Sequence, residues 1–333
     1  MEQAKAVQVD AGQVDAVQVG AVIVTWNSAE DIADCIRSAR KAGIEKIVVV
    51  DNGSTDHTRK IVALIEGVRL LVFPENLGFA GGVNQGVAAL DTEYVLILNP
   101  DCFVDSGVLA MKRAARDGAA GGMLLGEDGQ LQQGFAVRRL PTATTLIFEV
   151  LGINRIFAGN PVNRRYRCTG FDPKLEQQVE QPPAAFFLVR REVFVALNGM
   201  DAEYWPVWFE DVDFCARLLS AGYRIRYCPE AKATHRGGGS VKKIFWPFKE
   251  LAWYGSLLRY SIQHFGWLSS RLVVLAVAAA SVPRALTGII FRRQGVRTLG
   301  VYADVVRLAW MSLVHNRVDI RRFGRHLEGE DYL

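Results

Sequence analysis

Between residues 17 and 98, short apolar runs rich in β-branched residues alternate with segments whose apolar positions recur every three or four residues. The runs at 17–25, 47–50, 68–73 and 94–98 read as buried strands. Residues 29–42 read as a helix, with Ile32, Cys35, Ile36 and Ala39 on one face and Gly43 at its stop. A second helix is expected after Ser54 or Thr55, and a third over 82–90 behind a glycine-rich turn. This βαβ rhythm predicts an α/β fold on a mostly parallel sheet. Beyond Asp101 the rhythm loosens. Residues 118–129 read as turn-rich, and 141–183 as a segment shaping an acceptor site or lid, with Arg138, Arg139, Arg164, Arg165 and Arg167 on or beside it.

Two of the strands run straight into acids: Ile47 to Val50 into Asp51-Asn52-Gly53-Ser54-Thr55-Asp56, and Val95 to Leu98 into Asn99-Pro100-Asp101. Open α/β sheets bind ligands at the carboxyl ends of their strands, and two carboxylates there suit a nucleotide and a metal. A dinucleotide fold would need G-x-G-x-x-G after the first strand, where Trp26-Asn27-Ser28 stands, and the P-loop lysine is missing too.

Composition narrows the classes. Half of the 333 residues are hydrophobic, enough for a full core. The net charge of +4 is too mild to argue for nucleic acid. Cys35, Cys102, Cys168, Cys215 and Cys228 lack CxxC spacing, so neither a disulfide framework nor a zinc site is expected. Met1 to Gly20 carries a five-residue near-repeat rather than a basic start and apolar h-region. The expected organisation is a polar tail over 1–16, a cytosolic catalytic domain over 17–240 and a helical extension over 241–333.

Six motifs in order carry a resemblance: Val24-Thr25-Trp26-Asn27, the Asp51-to-Asp56 loop, Asn76-Leu77-Gly78-Phe79-Ala80-Gly81-Gly82, Leu98-Asn99-Pro100-Asp101, Trp208-Phe209-Glu210-Asp211-Val212-Asp213 and His235-Arg236-Gly237-Gly238-Gly239-Ser240. Together they resemble a family 2 glycosyltransferase, most similar to the bacterial rhamnosyltransferase subgroup. The resemblance implies a GT-A fold, a nucleotide-sugar donor, Mg²⁺ or Mn²⁺, and inverting transfer. It places Thr25, Asn27, Asp51, Asn52, Gly78, Phe79, Asn84 and Asn99 around the donor, with Asp51 on the N3–H of uracil or thymine. Asp101 is the expected anionic metal ligand and His235 a second metal or diphosphate ligand. Single displacement needs one carboxylate to take the acceptor proton. Asp211 is assigned that role, with Glu210 a minor alternative, and Asp213 is expected to pair with Arg217.

The implied donor is dTDP-rhamnose, with a UDP-hexose or UDP-galactofuranose left open. The implied acceptor is a polyprenyl-diphosphate-linked glycan in cell-envelope polysaccharide synthesis. A non-catalytic nucleotide-sugar binding protein could dispense with Asp101 or Asp211, and both are present. A glycoside hydrolase would need no nucleotide pocket.

After Ser240, aromatic and basic residues intermix: Phe245, Trp246, Phe248, Trp253, Tyr254 and Trp267 with Lys242, Lys243, Lys249, Arg259 and Arg271. Such mixtures suit a membrane interface. The apolar run 272–282 falls short of the ~20 residues a span needs, and Pro283 and Arg284 interrupt it. An in-plane, peripheral or monotopic anchor at the cytoplasmic face of a bacterial inner membrane is expected, with Arg292, Arg293 and Arg297 facing anionic lipid.

Overall fold

The computed structural model describes residues 19–291 and 297–320. The N-terminal tail, Arg292 and Arg293 lie outside the described residues. The first half of the chain alternates as its pattern predicts: β1 (Val19–Thr25), α1 (Ile32–Lys41), β2 (Lys46–Asn52), α2 (Thr58–Ala63), β3 (Val68–Phe73), α3 (Gly78–Ala88) and β4 (Tyr94–Leu98). Then follow β5 (Cys102–Ser106), α4 (Val108–Ala114), β6 (Gly118–Leu125), α5 (Ala143–Val150), α6 (Ile153–Ile156), α7 (Pro161–Tyr166) and β7 (Gln177–Gln178). The last set is β8 (Phe186–Arg190), α8 (Arg191–Ala196), α9 (Glu210–Ser220), β9 (Arg224–His235), α10 (Gly239–Lys243), α11 (Trp246–His264), α12 (Trp267–Phe291) and α13 (Arg297–His315).

The strands form one sheet in the order β3-β2-β1-β4-β8-β6-β9-β5, with β7 on β9. The β3-β2-β1-β4 half is wholly parallel, whereas β8 runs antiparallel to both β4 and β6. Strand alternation sorts the core. Ala21 and Ile23 of β1 join α1 and α4 on one face, while Val22 and Val24 join α3 and α9 on the other. Both faces are covered, so β1, β2 and β4 are buried along nearly their whole length, as the centre of a parallel sheet requires.

Strand order reverses beside β1: the chain builds β2 and β3 on one side and then crosses to β4 on the other. That switch point opens a crevice between the ends of β1 and β4. Thr25, at the end of β1, pairs in register with Asp51, and Leu98 ends β4 just before Asn99 and Asp101. From the far edge, the antiparallel pairing of Cys102 with His235 brings the end of β9 beside Asp101.

Three elements differ from the sequence expectation. The third helix starts at Gly78, and its glycines are packing positions: a Cβ on Gly86 would lie 2.3 Å from Val22 Cγ1 and one on Gly82 2.7 Å from Val24 Cγ1. The stretch from 118, read as turns, is strand β6, where absent side chains make room for neighbours. A Cβ on Gly121 would meet Pro182 at 2.4 Å and one on Gly122 Phe186 at 2.2 Å. Pro283 does not end α12, which continues to Phe291.

The C-terminal helices share a core with the catalytic half. Tyr204, Trp205, Val212 and Ala216 belong to one apolar cluster with Leu251, Tyr254, Leu258, Val277 and Val305. The expected boundary at 240/241 falls inside α10, and this core draws residues from both sides of it. Residues Trp267–Ile290 form a helix long and apolar enough to cross a membrane by length and composition. Arg284 nonetheless turns inward and donates through Nη2 to the carbonyl of Val150 at 2.7 Å, capping α5. The opposite side of α12 leaves Leu268, Leu272, Leu275, Val282, Leu286 and Ile289 exposed at three- or four-residue steps, apart from the longer step across Ala279.

Candidate active site

The crevice at the strand ends is a cavity of about 120 Å³ lined by Thr25, Trp26, Asn52, Asn76, Phe79, Asn99, Asp101, Val207, Gly239 and Ile244, among others. It adjoins a chamber of about 460 Å³ through the shared walls Phe79, Asn99, Val207, Gly238 and Val241. That chamber adds Glu210, Asp211 and His235. Thr25, Asn52, Phe79, Asn99, Asp101, Glu210, Asp211 and His235, scattered over the chain, therefore meet in one connected space.

The other four expected residues are engaged elsewhere. Asp51 is fully buried, and its oxygens accept from the Ser54 N–H at 3.1 Å, Arg59 Nε at 2.6 Å and Thr25 Oγ1 at 3.3 Å. Its neighbour faces the cavity instead. Asn52 donates to the Gly78 carbonyl at 2.9 Å, while its own Oδ1 is buried without a partner. Successive strand residues point to opposite sides, so Asp51 and Asn52 cannot both face the ligand.

Asn27 Oδ1 accepts from the backbone of Thr55 and Asp56 and ties the β1 loop to the β2 loop. Asn84 clasps Met200 through both amide atoms, at 2.7 and 2.9 Å. Gly78 has φ +80° and lies where a Cβ would strike Trp205 at 2.8 Å.

His235 Nε2 lies 3.5 Å from Asp101 Oδ1 and is a buried nitrogen with no hydrogen-bond partner. Its Nδ1 sits 3.1 Å from Gln132 Oε1, and Gln132 Nε2 donates to the His235 carbonyl at 2.6 Å. An amide oxygen can only accept, so Nδ1 carries a proton and Nε2 is the ring nitrogen that faces Asp101. The other Asp101 oxygen accepts from the Gly239 N–H at 3.3 Å. Burial pushes the Asp101 carboxyl up, but His235 and that N–H together outweigh it and hold the group below its usual value, ionised. A buried imidazole nitrogen and an ionised carboxylate 3.5 Å apart fit a divalent cation, which would take the place of a proton on Nε2. Two protein ligands are all the site offers, since the described residues contain no cluster of three or more His, Cys, Asp or Glu.

Glu210 and Asp211 open α9 directly after Trp208 and Phe209, which sit at φ +84° and +68°. Left-handed backbone at two bulky residues in succession is strained and holds the carboxylates at this turn. Glu210 is buried, with Oε2 unpartnered, and burial and then the charge of Asp211 raise it well above an ordinary carboxylate. Asp211 accepts from the Ala184 N–H at 3.2 Å and from Gln181 Nε2 at 3.4 Å. Burial raises it too, while the Ala184 N–H and the charge of Arg138 hold it back. Both carboxyls of this coupled pair are thus raised, and Asp211 is the one whose oxygen accepts from Ala184 and Gln181. Asp213 pairs with Arg217 at 2.7 Å, as its spacing predicted, and also meets His264 Nε2 at 2.7 Å.

Residues 21–141 match the glycosyl transferase family 2 profile, and residues 171–236 match one described as the N-terminal domain of galactosyltransferase. Rhamnosyltransferase WbbL of Escherichia coli K12 is 30% identical over 228 residues, 65% of this chain and 81% of that protein. The chain belongs to glycosyl transferase family 2. Among its relatives is the N-acetylglucosaminyl-diphospho-decaprenol L-rhamnosyltransferase of Mycobacterium tuberculosis, 28% identical over 272 residues, 72% of this chain and 87% of that one. The crystal structure of GalNAc-T7 with UDP, GalNAc and Mn²⁺ superposes with a TM-score of 0.54 at 13% identity, covering 95% of this chain and 57% of that one. That likeness concerns the fold, which is GT-A. This family 2 glycosyltransferase thus resembles the rhamnosyltransferases in sequence, as its six motifs implied. Gln132, Gln181 and Arg59 were not singled out from the sequence, because their partners lie far along the chain or across a turn.

Proposed function

We propose that this glycosyltransferase moves rhamnose, with inversion, from a dTDP-linked donor to a polyprenyl-diphosphate-linked glycan at the cytoplasmic face of a bacterial inner membrane. The observation that carries the reading is that Asp211 and His235 line one chamber, continuous with the cavity holding Asp101. The sugar named by two relatives supports rhamnose, and the lipid diphosphate in one of those names supports the acceptor class.

In this reading Asn52 Oδ1, rather than Asp51, accepts the N3–H of the pyrimidine, and Asp51 with Arg59 buttresses the loop behind it. Thr25, Phe79 and Asn99 wall the nucleotide. Asp101 and His235 would hold Mg²⁺ or Mn²⁺, which when bound neutralises the charge gathering on the departing diphosphate. Asp211 takes the proton of the attacking hydroxyl, while Gln181 and the Ala184 N–H fix its orientation. Protonated Glu210 beneath it adds no second negative charge. The exposed stripe of α12 lies in the membrane interface and brings the lipid-linked acceptor to the chamber.

The test is nucleoside diphosphate release by the purified protein in detergent, using dTDP-rhamnose, UDP-hexoses and UDP-galactofuranose with a short prenyl diphosphate N-acetylglucosamine, with and without EDTA. Release from dTDP-rhamnose that EDTA abolishes is the expected result. Release from a UDP sugar alone would replace the donor, and release from none would overturn the reading.

A further inference from the structure

The cavity holding Asp101 is lined by no arginine or lysine, whereas Arg138 and Arg167 both line the chamber of Asp211. Neither forms an ion pair among the described residues, in contrast to Arg139, which meets Glu180 at 3.1 Å. Each is nevertheless held. Arg138 donates through Nε to the Gly134 carbonyl at 2.8 Å, and its guanidinium lies 5.3 Å from the Phe135 ring centre and 6.0 Å from that of Tyr166. Arg167 donates through Nε to Asn163 Oδ1 at 3.1 Å and lies 6.0 Å from the same Tyr166 ring. Both guanidinium groups are thus anchored by Nε and an aromatic face, and among the described residues their Nη atoms have no hydrogen-bond partner. The chamber's other carboxylate on that wall, Glu149, already accepts from Asn154 at 3.0 Å.

Two half-buried, unpaired arginines sharing one tyrosine form an anion site, because a guanidinium edge matches phosphate oxygens two at a time. In the reading above the donor's diphosphate sits at Asp101, in the first cavity, and at His235, where that cavity meets the chamber, so a second anion at Arg138 and Arg167 comes with the acceptor. We infer that Arg138 and Arg167 bind the diphosphate of the lipid-linked acceptor, placing its sugar hydroxyl at Asp211. This rests on the transfer reading above. It assigns acceptor recognition to the anion between sugar and lipid, and makes a phosphate-free glycan a poor substrate.

The full-length protein and its Arg167→Ala variant are compared with two acceptors, a short prenyl diphosphate N-acetylglucosamine and a prenyl N-acetylglucosamine without phosphate. Arg167 is chosen because Arg138 also acts on Asp211. The KM for the diphosphate acceptor is expected to rise about tenfold or more, with little change for the phosphate-free one and an intermediate value for Arg167→Lys. Equal changes for both acceptors, or a rise in donor KM instead, would overturn the inference.

A second arm needs no turnover: inorganic pyrophosphate is titrated in EDTA against tryptophan fluorescence, with Trp208 and Trp253 in the chamber wall. Binding should weaken at least tenfold in Arg138→Ala/Arg167→Ala. If the wild type uses neither acceptor while pyrophosphate behaves as expected, the transfer reading fails and the anion site stands. If turnover is normal and both arms ignore the arginines, the anion site fails.

Discussion

Gln132 grips His235 at both ends, its oxygen 3.1 Å from Nδ1 and its nitrogen 2.6 Å from the carbonyl, and so fixes which imidazole nitrogen faces Asp101. Groups that orient a metal-binding histidine are typically worth about ten- to a hundredfold in metal affinity. Gln132→Ala should therefore weaken Mn²⁺ binding in the presence of nucleoside diphosphate by about that factor, read by electron paramagnetic resonance. An unchanged Mn²⁺ titration would show that His235 needs no such orientation.

Asn52 and Asp51 are separable by their neighbours. Asn52→Ala should weaken nucleoside diphosphate binding about tenfold, since its Oδ1 has no internal partner, and cost about 1 kcal/mol of stability through the lost bond to the Gly78 carbonyl. Asp51→Asn should instead lower the urea midpoint, because it leaves the Arg59 guanidinium without its counter-charge. Calorimetric titration and denaturation on both variants check this, and the reverse pattern would return the base contact to Asp51.

Asp211→Asn should bind donor normally and lose about 10²- to 10⁴-fold in turnover. Because burial raises the Asp211 carboxyl, the wild-type rate should fall as pH drops through that raised value and the base gains its proton. A rate independent of pH across the acid side would place the base elsewhere.

Glu210 makes a prediction of opposite sign for stability. Its folded-state value lies above its unfolded one, so its contribution is complete at low pH and is lost as pH rises through the folded value. Glu210→Gln, which cannot ionise, should gain Tm relative to wild type on going from pH 5 to pH 8. Parallel melting curves for the two proteins would refute this.

Gly86→Ala should cost roughly 1–3 kcal/mol by overpacking, since its Cβ would press within 2.3 Å of Val22 Cγ1. Gly300→Ala, on the open face of α13, should be neutral or slightly stabilising, as an alanine there meets nothing within 4 Å. Urea denaturation distinguishes the two.

The parallel half of the fold was legible because its strands are short, mostly apolar runs with β-branched residues and α1 has a clear stripe. Strand β6 was not, since Gly118, Gly121 and Gly122 look like turn residues until Pro182 and Phe186 are seen packed over the last two. At the site, the acids after β2 and β4 pointed to the strand ends where the cavity lies. Which of Asp51 and Asn52 lines it depends on Arg59 and on Gly78, and no local pattern contains that. Gln132 was invisible for a plainer reason: 103 residues separate it from His235, and a lone glutamine carries no motif.

The bond from Arg284 to the Val150 carbonyl ties α12 to α5, and α5 supplies Thr145, Leu146 and Glu149 to the chamber wall. On the placement proposed above, with the outer stripe of α12 on the lipid, the height of Asp211 above the bilayer would be set by a layer of packed helices, each ~10 Å across. The fold would then act as a ruler, admitting acceptors whose reactive hydroxyl stands at that height from the lipid.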